Sequence, residues 1–537
     1  MKPIQLLLSR PWLYLVIILI GIGFKWYAID YKMMWYDEIA TVLQIQGADN
    51  FFDVDSTQLN TIVPISHYKG ILQYSNKPQI TFVSEIQAQI HNMNLNPLHY
   101  MLLSVWYRIF GESLVWYRLF SVFVFLLSLP FIYGIAKELF RSQAAGLIAV
   151  ALFSVSPFIH YFAQELRYYM LWAFLLIALH YFLLKSVLYN KNQWWIGYGI
   201  CAVLSLYAST LSGFIIFEHA LIVFMFFKHA RIRFFVVILF VIVLYAPWFL
   251  YVYSNKQEVY QSLSWHKFEG LPLWAPLLGL VLGLVRTFSF YLQYTLFWDD
   301  VLSAITTAMI VETIFNIIIL IFIIVSAKRL IQYESPKTAW FVLLILIPGL
   351  VFFWGLDIVR NAITTHWWRY YIFNTIPVIL LVTYGIYSYM HKSKGIAFLF
   401  IIGLSSVSIY SMYAISQEKY WYLGGNWQQE FVDNAQTLTQ ATKPLVISDF
   451  IRLQNPWEGP MHTMEVLVNC NSENIDVLRL SANKENIKSM IPLHTYTDIF
   501  VMYASDELLQ NLQNQFGNSL KIIERKQGPP LWKIELE

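Results

Sequence analysis

Three short stretches hold the residues best suited to chemistry. In "MMWYDEIATV" (33–42), Asp37 and Glu38 stand side by side among aromatic and apolar residues. A carboxylate at such a place can act as a general base, taking a proton from an incoming nucleophile. The same pair also suits the start of a helix, with Asp37 as its cap and Glu38 against the positive end of the dipole. In "FAQELRYYML" (162–171), Glu165 and Arg167 precede Tyr168 and Tyr169. In "HWWRYYIFNTIP" (366–377), Arg369 and Tyr370 follow two tryptophans. A guanidinium pairs phosphate bidentately, so both arginines suit an anionic ligand. Interfacial aromatics and an ion pair at a membrane boundary explain the same residues without a ligand.

The elements that must position these residues are membrane helices. The chain has 537 residues, of which 58% are hydrophobic, 18% aromatic and only 13% charged. A soluble protein of this size carries roughly 25% charged residues. Apolar runs at 12–29, 114–136, 143–162, 168–187, 194–210, 212–228, 233–253, 307–326, 338–356, 370–390 and 395–414 are each near the length of a spanning helix. The fold class is therefore an α-helical polytopic membrane protein of about 11 to 13 transmembrane helices, the higher number applying if 271–298 crosses twice. That stretch reads as juxtamembrane, re-entrant or a double crossing, because one crossing would invert every loop after it. "NPLHYMLLSVWYRIFG" (96–111) is too short to span comfortably and reads as an interfacial helix. A helix beginning near Asp37 would place Ile39, Val42 and Leu43 on one face, suited to the membrane surface.

Charge sets the orientation. Lys2 and Arg10 precede the first helix, which has no small-residue cleavage site after it and reads as retained. Counting alternately, Lys137 and Arg141, Lys185 and Lys191, Lys228, Arg231 and Arg233, Lys328, Arg329 and Lys337, and Lys392 and Lys394 all fall on the cytoplasmic side. The opposite short loops carry chiefly Arg167 and Arg360. Exoplasmic placement then follows for the loop at 30–113, for 254–306 and for everything beyond the last helix. Residues 416–537 change composition, pairing a helical pattern in "NWQQEFVDNAQTLTQ" with strand patterns in "KPLVISDF", "DIFVMYAS" and "LKIIERK". The expected organisation is a transmembrane catalytic domain over 1–415 and a small C-terminal exoplasmic α/β domain over 416–537. Two cysteines, Cys201 and Cys470, exclude a disulfide scaffold, and no basic block suggests nucleic acid.

The order W-x-D-E after the first helix, then "NPLHY…FGESLVWYRLFS", "SPFIHYFAQELRYY" and "RYYIFNTIP", resembles the GT-C superfamily of membrane glycosyltransferases. Within it, the pattern is similar to the protein O-mannosyltransferases and aminoarabinose transferases, over about residues 10–390. The resemblance implies an exoplasmic active site, a polyprenyl-phosphate sugar donor and Asp37 as the base that deprotonates the acceptor, beside Glu38. It makes Gln164 to Tyr169 the family's Q-E-x-R-x-Y motif, with Glu165 as its acid, Arg167 as its arginine, and Gln164 and Tyr169 as substrate contacts. Arg369 and Tyr370 match the R-Y that opens a late helix, and Arg118 in "YRLFS" matches a structural arginine. The chain departs from the family's D-x-H-P-P-L-Y stretch: "MNLNPLHY" has Met93 at the Asp position and Asn96–Pro97 in place of Pro–Pro. Lys69, Lys77 and His99 are the candidates to replace the missing group.

Chemically, such a transfer needs a carboxylate for the acceptor's proton, positive charge for the departing phosphate, and groups that orient the sugar. One base and no evident nucleophile imply a single displacement with inversion. Nucleotide sugars are confined to the cytoplasm, so an exoplasmic enzyme needs a lipid-carried donor. No Gly-rich phosphate loop occurs, and the expectation is no cofactor and no metal. The expected partners are the polyprenyl-phosphate sugar, an acceptor that is a protein, lipid or glycan, and the bilayer of the plasma or inner membrane. A transporter or flippase is the rival from another class, with Glu218 and Glu312 as intramembrane acids and Pro157, Pro247 and Pro348 as helix breaks. A surface-polysaccharide polymerase or ligase is a nearer alternative.

Overall fold

The computed structural model describes residues 11–47, 58–73, 81–91, 96–256, 272, 274–289, 307–362, 364–421, 428–449, 459–481, 486–523 and 531–535. Lys77 and Met93 lie outside them. The chain forms two units, one of residues 1–29, 93–102 and 115–417, the other of 30–92, 103–114 and 418–537.

The first unit is helical because lipid offers no partner for a backbone N–H or C=O, so each apolar run must satisfy its own. Every expected span falls on a helix. Among the described residues, 7 helices are long and apolar enough to cross a membrane, or up to 8 when the bent pair Gln143–Val155 and Pro157–Gln164 counts as one. That pair bends by 58°. The cause is local: Ser156 caps the second piece by accepting from the Ile159 amide at 3.4 Å, and Pro157 sits at the first helical position, where a missing N–H costs nothing. The run at 338–356 is likewise two helices, Pro336–Leu344 and Ile347–Arg360.

The stretch 271–298 is described as one helix, Trp274–Val285, of 12 residues, short of the roughly 20 that a crossing needs. Its part beyond Ser289 lies outside the described residues. Gly279 and Gly283 are its contact face: an added Cβ would stand 2.6 Å from the Thr365 carbonyl oxygen and 2.3 Å from the Tyr371 ring. Small residues four apart allow this close approach, and the helix seats itself against the turns that carry Arg369.

The second unit is built on a six-stranded sheet of β1 (Ile62–Pro64), β2 (Pro444–Asp449), β3 (Asp476–Leu480), β4 (Asp498–Val501), β5 (Leu520–Ile523) and β6 (Leu531–Ile534). The spatial order is β1-β3-β2-β4-β6-β5. Central β2 pairs parallel with β3 and β4, and the outer pairs are antiparallel. Every residue of β2 is buried, as expected for a parallel strand covered on both faces. On one face Leu445, Ile447, Leu478, Ile499 and Val501 pack with Ile487, Leu508 and Leu512.

Strand β1 comes from the loop after the first helix, with Ile62 opposite Leu478. The chain thus divides differently from a cut at 415/416. The edge of β3 presents unpaired backbone groups that need a partner, and the loop supplies one, so residues 30–92 belong with 418–537.

Candidate active site

In the second unit, the helix Tyr36–Ile45 carries the acidic pair. Its N-cap is Trp35, with no side-chain capping bond, so Asp37 is the second helical residue and does not cap. Ile39, Val42 and Leu43 share a face as expected, but that face is buried within the protein and not laid on the membrane surface. Glu38 is fully buried, whereas Asp37 is partly exposed. The more accessible carboxylate is therefore Asp37.

Two further acids approach this pair from the C-terminal segment, and sequence reasoning missed both. Glu465, on the helix Gly459–Val468, is fully buried and accepts from the Tyr36 backbone amide at 3.1 Å. Burial raises its pKa well above the usual carboxylate range; the Tyr36 amide opposes this, and Asp37, Glu38 and Glu430 add to it. Glu430, on the helix Gln429–Gln440, is buried as well. Around them His462 meets Tyr36, Phe431 and Tyr503 at ring separations of 6.2, 4.9 and 5.6 Å.

In the first unit, the motif at 164–169 occupies the break between the helices Pro157–Gln164 and Tyr169–Tyr189. Glu165 ends the first of these, is fully buried, and has its carbonyl held by the Ser121 hydroxyl at 2.8 Å. The Arg167 guanidinium lies 5.9 Å from the Tyr168 ring and 6.0 Å from that of Tyr169. Arg369 donates from Nη1 to the Tyr169 hydroxyl at 3.2 Å, joining two motifs 200 residues apart. Its guanidinium also lies 5.8 Å from the Tyr370 ring. The five residues form one cluster.

The turns that present Arg369 are pinned by Asp357. This buried carboxylate accepts from the Thr364 amide at 2.8 Å, the Thr365 amide at 2.7 Å and the Thr365 hydroxyl at 2.6 Å. The Tyr371 hydroxyl donates to the Thr365 carbonyl at 2.8 Å. Arg286 joins them just beyond the helix Trp274–Val285, its guanidinium 5.5 Å from the Trp368 ring. Its Nη1 is buried and has no hydrogen-bond partner among the described residues. In the sequence Arg286 sits inside the apolar stretch 271–298, where nothing names a partner for it.

His99 is fully buried on the helix Pro97–Phe110, edge-on to Tyr100 at 5.3 Å and to Phe120 at 5.5 Å. Neither ring nitrogen has a hydrogen-bond partner among the described residues. Burial and then the Arg167 guanidinium push its pKa down to about 3, so it is a neutral imidazole beside the cluster. Lys69 is instead paired with Glu473 at 2.6 Å. Gln164, expected as a substrate contact, also makes bonds within the protein. Its amide nitrogen points to the carbonyls of Phe24 at 3.2 Å, Lys25 at 3.4 Å and Tyr27 at 2.8 Å, closing the end of the first helix, where carbonyls lack helical partners. Arg118 donates from Nη1 to the Ile29 carbonyl at 2.8 Å, a structural bond.

Residues 95–251 match the family described as dolichyl-phosphate-mannose-protein mannosyltransferase. Among solved structures, the chain is similar to ArnT from Cupriavidus metallidurans bound to undecaprenyl phosphate, with 12% identity, a TM-score of 0.51 and 97% of each chain covered. The apo state of that protein matches at 11% identity and a TM-score of 0.47, over 82% of this chain and 87% of the other. The Archaeoglobus fulgidus oligosaccharyltransferase tethered to an acceptor peptide matches at 12% identity and a TM-score of 0.46, over 88% of this chain and 64% of the other. No curated protein matches the sequence.

Proposed function

We propose that this protein is a membrane glycosyltransferase of the GT-C superfamily, which moves a sugar from a polyprenyl monophosphate to an acceptor at the exoplasmic face of the plasma or inner membrane. The observation that carries the donor assignment is the joining of Arg167, Tyr169 and Arg369 into one cationic, aromatic-lined cluster. Arg286 adds a buried N–H nearby that has no hydrogen-bond partner among the described residues. Guanidinium groups recognise phosphate oxygens bidentately, and the similarly folded ArnT was solved with undecaprenyl phosphate. Arg167, Arg369 and Arg286 hold the phosphate and stabilise the charge that develops as it leaves. Tyr169, Tyr370 and Glu165 orient the donor, and the His99 ring, whose nitrogens have no hydrogen-bond partner among the described residues, offers one donor and one acceptor to sugar hydroxyls. Gln164 is scaffold.

In the other unit, Asp37 takes the acceptor's proton as its nucleophilic atom attacks the anomeric carbon, and Glu38 holds its neighbour in place. The C1–O bond to phosphate breaks as the new C1 bond forms. The electron pair leaves with the phosphate and the configuration inverts. No residue forms a covalent intermediate.

Deletion of the gene tests the donor in the cell. The expected result is accumulation of one polyprenyl monophosphate sugar, together with loss of the modification that it feeds. An unchanged lipid-linked sugar pool, with the modification intact, would contradict the assignment.

A further inference from the structure

The approach to Asp37 has no secondary structure, yet its backbone groups have partners. Residues 33–35 are neither helix nor strand, so each buried N–H and C=O there needs a bond from elsewhere. The Met33 amide donates to the Lys419 carbonyl at 2.7 Å, and the Met33 carbonyl accepts from the Trp421 indole at 3.1 Å. The Met34 amide donates to Asn469 Oδ1, and the Asn469 amide donates back to the Met34 carbonyl, both at 2.8 Å. This side chain thus serves one residue as a strand partner would. The Tyr36 amide, one residue before Asp37, donates to Glu465 Oε2 at 3.1 Å. One turn of the same helix end supplies both Glu465 and Asn469. The Lys32 ammonium adds bonds to the Glu418 carbonyl at 3.0 Å and the Tyr420 carbonyl at 3.2 Å.

A carboxyl is an expensive way to fill a core position. Glu465 has no exposed surface, Oε1 finds no hydrogen-bond partner among the described residues, and its neighbours Asp37, Glu38 and Glu430 are themselves acids. An apolar side chain would fill the volume without that desolvation. What it could not do is accept from the Tyr36 amide.

We propose that the helix Gly459–Val468 and the adjoining Asn469 are a splint for the catalytic base: Glu465 and Asn469 are positioning residues that fix the backbone of 34–36, and with it the direction of the Asp37 carboxylate. This rests on Asp37 being the base, and it gives the C-terminal segment a part in transfer. Burial and the surrounding carboxylates oppose ionisation of Glu465, and an amide oxygen in its place could still accept from the Tyr36 amide.

The test is steady-state kinetics of purified full-length protein with a lipid-linked sugar donor, per folded molecule. Glu465→Ala and Asn469→Ala should each lower kcat, by up to the about 10²-fold that a misplacement near 1 Å costs, with the donor KM unchanged. Glu465→Gln, which still accepts from the Tyr36 amide, should restore kcat. A role in folding alone would lower stability and leave kcat per folded molecule at the parent value. That outcome overturns the splint, as does a loss in Glu465→Gln equal to that in Glu465→Ala. Asn469 is only half-buried, so its variant remains informative if Glu465→Ala fails to fold. Asp37→Asn serves as the control: if it stays active, the base assignment fails first, whereas an inactive Asp37→Asn beside parent-like alanine variants removes the splint alone.

Discussion

Asp37→Asn is expected to fold and insert like the parent protein and to lose transfer by about 10²- to 10⁴-fold, the range that a positioned general base contributes. The substitution keeps the side chain's size and removes its ability to accept a proton. The helix start does not depend on it, because Trp35 and not Asp37 is the N-cap, so loss of activity cannot be assigned to a lost cap. Glu38→Gln should hurt less, since Glu38 is buried and acts through its neighbour. Thermal melts and turnover of the purified variants check both statements, and full activity in Asp37→Asn would remove the base.

Arg369→Ala should weaken donor binding by roughly 10- to 100-fold, as expected when a hydrogen bond to a charged group is lost from a partly buried site. Arg369→Lys should recover only part of this. An ammonium supplies the charge but neither the fork that meets two phosphate oxygens nor the stacking on Trp367 and Tyr370. Arg167→Ala should act in the same direction. Titration of each folded variant with a polyprenyl monophosphate sugar reads the effect directly. Unchanged affinity in both alanine variants would mean that these arginines only anchor helix ends.

The sequence marks each of these residues because local pattern carries them: an acidic pair opening a helix, and arginines where apolar runs end. Helix positions are legible for the same reason, since lipid enforces a self-satisfied backbone over each run. The breaks were harder to see. Ser156–Pro157 sits inside a run apolar enough to read as one span, and the 58° bend comes from capping and proline geometry that hydropathy does not measure. Arg286 matters through a partner far along the chain, Trp368, and pairwise proximity leaves no trace in one sequence. The same holds for Glu465 and Asn469, which meet residues 34–36 across more than 400 positions of chain. Strand β1 has only three residues, too few to show alternation. It exists because β3 offers an edge to pair with. A motif names Gln164 by residue type and does not say that its amide nitrogen also closes the end of the first helix.

The donor itself is the most direct test. Purified protein should be given polyprenyl monophosphate sugars and nucleotide sugars separately, each with and without a chelator, and product followed over time. Transfer is expected from the lipid-linked sugar in both conditions and from no nucleotide sugar. Turnover from the nucleotide sugar alone would contradict a lipid-phosphate donor, and loss of lipid-donor activity in chelator would contradict a metal-free reaction.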